Sequence, residues 1–361
     1  MISDFSVSTM NTSTYNNFDQ VGINSLVKIK CNSHYDLGKQ LGKLHNKKTI
    51  PKFGKIDNMY EIQYGIYKKY YPEYLECIRG MADQLDLDVD KFTNLFITFN
   101  EPVGSCSVIS YKNLIGRNYD WLGDAVRTLE LFSVSIKGYN QIVAIREGGF
   151  PDAISNEYIG ENKKSPNVYH KNYVHPISFC VDFVNNKYLY IGMLWMNFSG
   201  KIENGLLVFD FMRKIAETCN DVNDVIKFLK IVPCGTPKFM FVADALGKQI
   251  VIEHFSGFNY HILKPSNHLL IHTNHIIYEP YIKYDNKKRR KESIERYNII
   301  ETKCEKLKPT NLLDMKVIID NVFAEYKGKP KTIYQLLLDL PNGKIYYITK
   351  HKCYLLNELF S

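Results

Sequence analysis

Several signatures that would announce a function at once are missing from this chain of 361 residues. Its eight cysteines stand singly at 31, 77, 106, 180, 219, 234, 304 and 353, and no CxxC pair occurs. That excludes a zinc ribbon or a dithiol redox motif, and scattered thiols read as buried side chains in a reducing compartment. Neither GxGxxG nor GxxxxGK[ST] is present, so nucleotide binding through the usual phosphate loops is not expected, and no cofactor is assigned. No apolar run is long enough to cross a bilayer, and the opening MISDFSVSTMNTSTYNNFDQ lacks the basic and apolar regions of a secretory signal. The expectation is a soluble, cytoplasmic protein with no membrane partner. Charge of one sign is also scarce: 46 basic against 38 acidic residues leave +8, too diffuse to suggest a nucleic-acid partner. No internal repeat at a solenoid period is visible.

What is present is enough for a large core, with 45% hydrophobic residues. Residues 1 to about 22 are polar and rich in Ser, Thr and Asn, and read as a loosely held leader. Helical patterning then dominates to about residue 100. Ser33 and Asp36 resemble a capping box opening YDLGKQLGKLHNKK, where Gly38 and Gly42 would let another element approach closely. In YPEYLECIRGMADQLDLDVDKFTNLF, Tyr74, Leu75, Ile78 and Met81 form a helical stripe, and Asp86, Asp88 and Asp90 are candidate caps for the next helix.

From Cys106 the pattern changes to hairpins with turns at Tyr111-Lys112-Asn113, Gly138-Tyr139-Asn140 and Asn185-Asn186. A long polar loop over about 148–176 is placed to cover a site. GLLVFDFMRKIAETC and a helix capped by Asp221 follow, then the strands KFMFVADALGKQIVIEHF and HLLIHTN, a helical pair over about 290–323, and a closing hairpin around Pro341-Asn342-Gly343. This order predicts an α+β domain of antiparallel sheets with helices packed outside them.

The chemistry-bearing stretch is GSCSVISYKNLIGRNYDW, residues 104–121. Cysteine is the best side-chain nucleophile, but it must be ionised, which calls for a nearby base or positive charge. The only base supplied locally to Cys106 is its own α-amine, should the preceding peptide bond be cut; an α-amine titrates near 8. Gly104-Ser105 gives that bond freedom to strain. The alternative is a buried thiol in a strand whose Arg117 and Asp120 form a surface pair.

Cysteine followed by Ser, a turn and the strand GRNYDW resembles the N-terminal-nucleophile hydrolases, which include bile salt (choloylglycine) hydrolase, penicillin V acylase and the autoproteolytic acyl-CoA:6-aminopenicillanic acid acyltransferases. The leader, with HYDLGKQLG and YPEYLECIRGMADQLDLDVDKF, looks like the pro-region of the acyltransferase branch. FMFVADALGKQIVIE, LLIHTNH, SIERY and RKIAETCNDVNDVIKFL resemble further family elements over roughly residues 27–300. The resemblance implies a four-layer αββα sandwich, a helical pro-region over 1–105, and a catalytic region over 106–361 that forms one compact domain with it. It implies self-cleavage between Ser105 and Cys106, then turnover of a linear amide through a Cys106 thioester. In those terms Cys106 is nucleophile and, through its freed amine, base. Arg117 and Asp120 orient and tune it, Asn274 donates to the oxyanion, and Arg296 fixes the surrounding charges. Without the resemblance, Asn274 reads equally as the start of a turn, and Arg296, in KKRRKESIER, as a solvated side chain.

Two departures accompany the resemblance. Lys238 stands where many relatives have Asn, removing one oxyanion donor, and the family's Gly-Met-Asn-x-x-Gly-Leu element has only a loose counterpart in WMNFSGKIENGLL, with Asn197. His272 and His275 bracket Asn274, but this spacing on a strand suits no metal, and none is assigned. The basic run Lys287 to Lys291 reads as a solvated face, with docking of a phosphate-bearing acyl carrier as the minority reading. The expected partner is a small N-acyl amide or acyl thioester; a homo-oligomer is left open. The rival functions are an unprocessed relative that only binds an acylated molecule, and a thiol protease using Cys106 with a distant His.

Overall fold

A computed structural model of the chain describes residues 23–44, 58–97, 105–122, 128–148, 180–322, 330–349 and 353–360. The polar leader to residue 22 and the 148–176 loop, beyond its first residue, lie outside the described residues. Fourteen strands and eight α-helices are described. The strands are β1 (Ile23–Cys31), β2 (Ser105–Tyr111), β3 (Leu114–Leu122), β4 (Thr128–Ile136), β5 (Ile142–Gly148), β6 (Cys180–Asn185), β7 (Tyr190–Trp195), β8 (Lys238–Ala243), β9 (Gln249–Ser256), β10 (Asn259–Leu263), β11 (Leu269–His272), β12 (Pro330–Asp339), β13 (Lys344–Ile348) and β14 (Cys353–Leu355). The helices are α1 (His34–Lys43), α2 (Asn58–Tyr70), α3 (Pro72–Leu85), α4 (Val89–Ile97), α5 (Val208–Thr218), α6 (Val222–Phe228), α7 (Lys287–Leu307) and α8 (Leu312–Asp320).

Two sheets result, one in the order β1-β4-β5-β6-β7-β8-β9-β10 and one in the order β11-β2-β3-β12-β13-β14. They face each other through β2 against β7 and β9 against β11, with α5 outside the first sheet and α7 and α8 outside the second. The molecule is therefore α+β with helix, sheet, sheet and helix stacked in turn, as expected. Strands β8 and β9, KFMFVA and QIVIEHFS, are buried at every position, because one face meets the helices and the other the partner sheet.

The expected turns are present, and their backbones show why those residues stand there. Lys112, Gly138, Gly247 and Gly343 all have positive φ at the hairpin bends. Ser33 caps α1 by accepting from the Asp36 N–H at 3.1 Å, Asp221 caps α6 by accepting from Asp224, and Asp88 accepts from the Lys91 N–H at 2.9 Å at the start of α4. The glycines of α1 do bring helices together: a Cβ on Gly38 would lie 1.9 Å from the Cys77 carbonyl oxygen of α3, and one on Gly80 of α3 would lie 2.1 Å from that of Tyr35.

Three strands depart from the sequence expectation, and all are sheet edges: β1, β10 and β14. An edge strand has one neighbour and fewer covered positions, so its pattern is weak. Strand β1 corrects the purely helical leader. It pairs parallel with β4, the one parallel pairing among the described strands, after a crossover that contains α1 to α4. The leader thus extends the sheet of the main body.

Candidate active site

Strand periodicity sorts the residues around Cys106 onto two faces. Cys106 is opposite Tyr119 and Val108 is opposite Arg117, so Cys106 and Arg117 are diagonal neighbours on one face of β2 and β3. That face meets the other sheet: Arg117 reaches Asp182 of β6, its Nε lying 2.8 Å from Oδ1 and donating to Oδ2 at 3.0 Å. Asp120 and Asn118 are on the opposite face, where Asn118 donates to the Ile319 carbonyl of α8 at 2.9 Å. Arg117 and Asp120 therefore flank Cys106 from different sides of the sheet, and both are buried. The surface-pair alternative is removed for both.

On the thiol side, Cys106 is 2% exposed. Burial pushes its thiol up to about 11; Arg117 opposes this, Asp120 adds to it, and a bond from the Asp120 backbone N–H favours the ionised form. The guanidinium of Arg117 also donates through Nη2 to the Met193 carbonyl at 2.6 Å, while Nη1 has no hydrogen-bond partner among the described residues. The Asp182 carboxylate is in turn held by the Tyr190 hydroxyl at 2.6 Å and by that of Tyr334.

On the backbone side, the Cys106 N–H donates to Asn274 Oδ1 at 2.7 Å. Arg296 Nη2 donates to the same oxygen at 2.8 Å, and Nη1 donates to the Cys106 carbonyl and to Ser107 Oγ, both at 2.6 Å. Asn274 sits just past β11, which pairs with β2, and Ser293 of α7 accepts from its backbone N–H at 2.6 Å. Its amide donates through Nδ2 to the Trp195 carbonyl at 2.8 Å. What Asn274 turns toward Cys106 is thus an acceptor, whereas an oxyanion would need a donor. Asp120 lies beyond Arg296, with Oδ2 4.0 Å from Nη1, while Thr332 donates to Oδ1 at 2.6 Å. Burial raises the Asp120 carboxyl to about 6, against the pull of Arg296, Thr332 and Arg117.

The other candidates are placed away from the thiol. Lys238 is the first residue of β8 and is paired with Trp195, its Nζ 3.4 Å from the centroid of the Trp195 ring. Its neighbour Phe239 turns inward against the ring of His272, at 4.3 Å, so Lys238 faces the helices. It does not occupy a donor position opposite Cys106. Asn197 lies two residues beyond β7. His272 and His275 are structural: His272 Nε2 is 3.2 Å from Glu253, and His275 Nδ1 is 2.9 Å from Ser293 Oγ, with burial holding His275 down at about 3. No cluster suited to a metal occurs among the described residues. In the basic run, Lys287, Arg289 and Lys291 are exposed, whereas Arg290 is tied to Asp285 at 2.9 Å.

Asp182, Tyr190, Tyr334, Thr332 and Ser293 are the residues that sequence reasoning missed. Asp182 did carry a signal, since a carboxylate inside the apolar run ISFCVDFV needs a partner once buried.

Residues 174–353 match the family model of acyl-coenzyme A:6-aminopenicillanic acid acyl-transferase. The chain is related to this family. It is accordingly an enzyme of the N-terminal-nucleophile type, a hydrolase or acyltransferase. Asn274 and Arg296 fall inside the matched segment, and Cys106, Arg117 and Asp120 precede it. No relative is found among curated proteins. Among solved structures the chain is similar to a conjugated bile acid hydrolase from Clostridium perfringens, at 13% identity and a TM-score of 0.44, over 71% of this chain and 94% of that one. It is also similar to penicillin V acylase from Agrobacterium tumefaciens, at 14% identity and a TM-score of 0.43, over 68% of this chain and 83% of that one. Identity this low and superposition this loose add nothing to the family match. No helix among the described residues is long and apolar enough to cross a membrane.

Proposed function

We propose that the chain cuts itself between Ser105 and Cys106, and that the new N-terminal cysteine then turns over a linear amide. The observation that carries this reading is the double clasp on the Cys106 backbone: its N–H is held by Asn274 and its carbonyl by Arg296, with the Arg117 cation on the thiol side. A buried thiol that serves only packing has no use for such a clasp.

In the first step the Cys106 thiol attacks the Ser105 carbonyl, the C–N bond breaks as the C–S bond forms, and the thiol proton passes to the departing amine. Water then hydrolyses that thioester, giving the Ser105 carboxylate and restoring the Cys106 thiol beside the α-amine freed in the shift. Asn274 Oδ1 is already placed to accept from that nitrogen, and Asp120, beyond Arg296, is the nearby anion proposed to favour its ammonium form. In turnover the amine takes the thiol proton, the thiolate attacks the substrate carbonyl, and the proton is handed to the leaving amine. The acyl group rests on sulfur until water or another amine removes it. The substrate class is an N-acyl amide or acyl thioester.

Before cutting, the thiol stands at about 11 and lacks the α-amine that would serve as its base, which favours a precursor inactive on substrate. The unprocessed binding protein is the rival on the same observation, and one measurement separates the two. Intact mass of the folded protein is expected to show fragments of 105 and 256 residues, the 361-residue chain divided after Ser105. A folded chain that stays whole in every preparation would overturn self-cleavage.

A further inference from the structure

Arg117 raises a question that its own strand does not answer: what holds a guanidinium with no exposed surface in one orientation beneath a thiol? An arginine buried between two sheets needs a carboxylate, and that carboxylate needs donors of its own. The structure supplies both. Asp182 of β6 takes Arg117 Nε with its two oxygens, Tyr190 of β7 donates to Oδ1, and Tyr334 of β12 donates to Oδ2. The Met193 carbonyl takes Nη2. Tyr334 is also stacked on Tyr119, the residue opposite Cys106, with ring centroids 4.9 Å apart. Three groups from the far sheet and one from the near sheet therefore fix the guanidinium, and every arm is engaged except Nη1.

We propose that Asp182, braced by Tyr190 and Tyr334, is the positioning unit of the nucleophile: it orients Arg117 so that the unengaged Nη1 is kept for the Cys106 thiolate. The proposal rests on the reading of Cys106 as nucleophile. Asp182 touches no reacting atom, and its effect runs through Arg117. A planar donor with nitrogens aimed in fixed directions at two separate acceptors, Nε at Asp182 and Nη2 at the Met193 carbonyl, is needed for this arrangement, which a lysine at 117 could not reproduce. The proposal also makes the two sheets interdependent, because the nucleophile stands on one and the anchor of its cation on the other.

Charge and position predict opposite results, which makes the proposal testable. As a mere anion near the thiol, Asp182 disfavours the thiolate, so removing its charge should make Cys106 more acidic. As the anchor of Arg117 it favours the thiolate, so removing it should make Cys106 less acidic. The experiment is the pH profile of iodoacetamide alkylation at Cys106, followed by peptide mass spectrometry, in wild type, Asp182→Asn, Tyr190→Phe, Tyr334→Phe and Arg117→Lys. The profile is readable in cut or uncut chain.

Asp182→Asn is expected to slow alkylation at neutral pH by about tenfold or more and to move the midpoint upward, as loss of a charge-assisted hydrogen bond network would. Arg117→Lys should resemble it despite keeping the charge, and each Tyr→Phe change should move the midpoint the same way by less. On an amide substrate kcat should fall with KM unchanged. A midpoint that stays or falls in folded Asp182→Asn overturns the proposal. Should that variant not fold, the two Tyr→Phe variants decide, because they remove hydroxyls and no charge; unchanged profiles in both overturn it. Wild type that labels another cysteine before Cys106 sinks the nucleophile reading instead, so the two failures are distinguishable.

Discussion

The molecule contains two buried clusters built from nearly the same parts. Between the sheets, Arg117 pairs with Asp182, tyrosine hydroxyls brace the carboxylate, and Cys106 lies beside the arginine. Between the leader helices and α5, Arg213 donates to Glu217 at 2.7 Å, Tyr71 and His34 hold the same carboxylate at 2.6 and 3.0 Å, and Cys77 lies beside the arginine. Even the stacking is similar, with Arg117 5.7 Å from the ring of Tyr119 and Arg213 5.8 Å from that of Tyr74. Burial pushes both thiols up to about 11, and the adjacent arginine opposes it in both.

The charge environment of the thiol therefore does not by itself mark a nucleophile. The backbone does. Cys77 lies in the middle of α3, with its carbonyl packed against Gly38 of α1, so that peptide is locked inside a helix contact. Cys106 is the second residue of β2, which begins at Ser105, and its N–H and carbonyl are gripped by the side chains of Asn274 and Arg296.

The largest expected effect breaks the comparison outright. Cys106→Ala should abolish self-cleavage and turnover, while Cys77→Ala should leave both intact. Gel and mass analysis of the purified variants, followed by amide hydrolysis, checks this; loss of cutting in Cys77→Ala would return the nucleophile to open choice.

A smaller effect is expected at the leader cluster. Glu217→Gln leaves Arg213 buried without its anion and should cost about 3–5 kcal/mol of stability, while the pH midpoint of Cys106 alkylation stays put. Burial works against ionisation of Glu217, but Arg213, His34 and Tyr71 outweigh it and hold the group at about 2. A folded value below the unfolded one contributes stability that is complete above pH ~4.5 and is lost as pH falls toward 2, by about 3 kcal/mol. Denaturant melts of wild type and Glu217→Gln across that window should converge at its acid end.

The smallest effect sharpens the site itself. Asp120 titrates at about 6, above its unfolded value, because burial dominates. Its ionised form is therefore less favourable in the fold, and stability on its account falls as pH rises from about 4 to 6. Holding the Cys106 ammonium requires that ionised form, so kcat/KM should drop as pH falls through about 6. Asp120→Asn should remove this acid limb along with much of the activity. A limb unchanged in the variant would assign it to another group.

The sequence by itself was sufficient for the sheet interiors and the turns, and it singled out Cys106 as the candidate nucleophile. Alternation in SCSVIS and NLIGRNYDW, with a bend at Lys112, is a local property that water and strand geometry read the same way in any fold. Helix caps at Ser33 and Asp221 are similarly local. Edge strands β1, β10 and β14 were not legible, since an edge is defined by the neighbour it lacks. The i, i+3 spacing of Arg117 and Asp120 on one strand already places them on opposite faces, but their partners, more than sixty residues away in the chain, were not legible: Asp182 for the first, and Arg296 and Thr332 for the second. Asn274 was found by its motif, but whether it offers Cys106 an acceptor or a donor depends on Trp195 and Arg296, which reach it from other elements. Residue types and their spacing set which chemistry is available. The stacking of two sheets set which atoms meet, because a buried charge takes its partner from whatever the tertiary fold brings within hydrogen-bond distance.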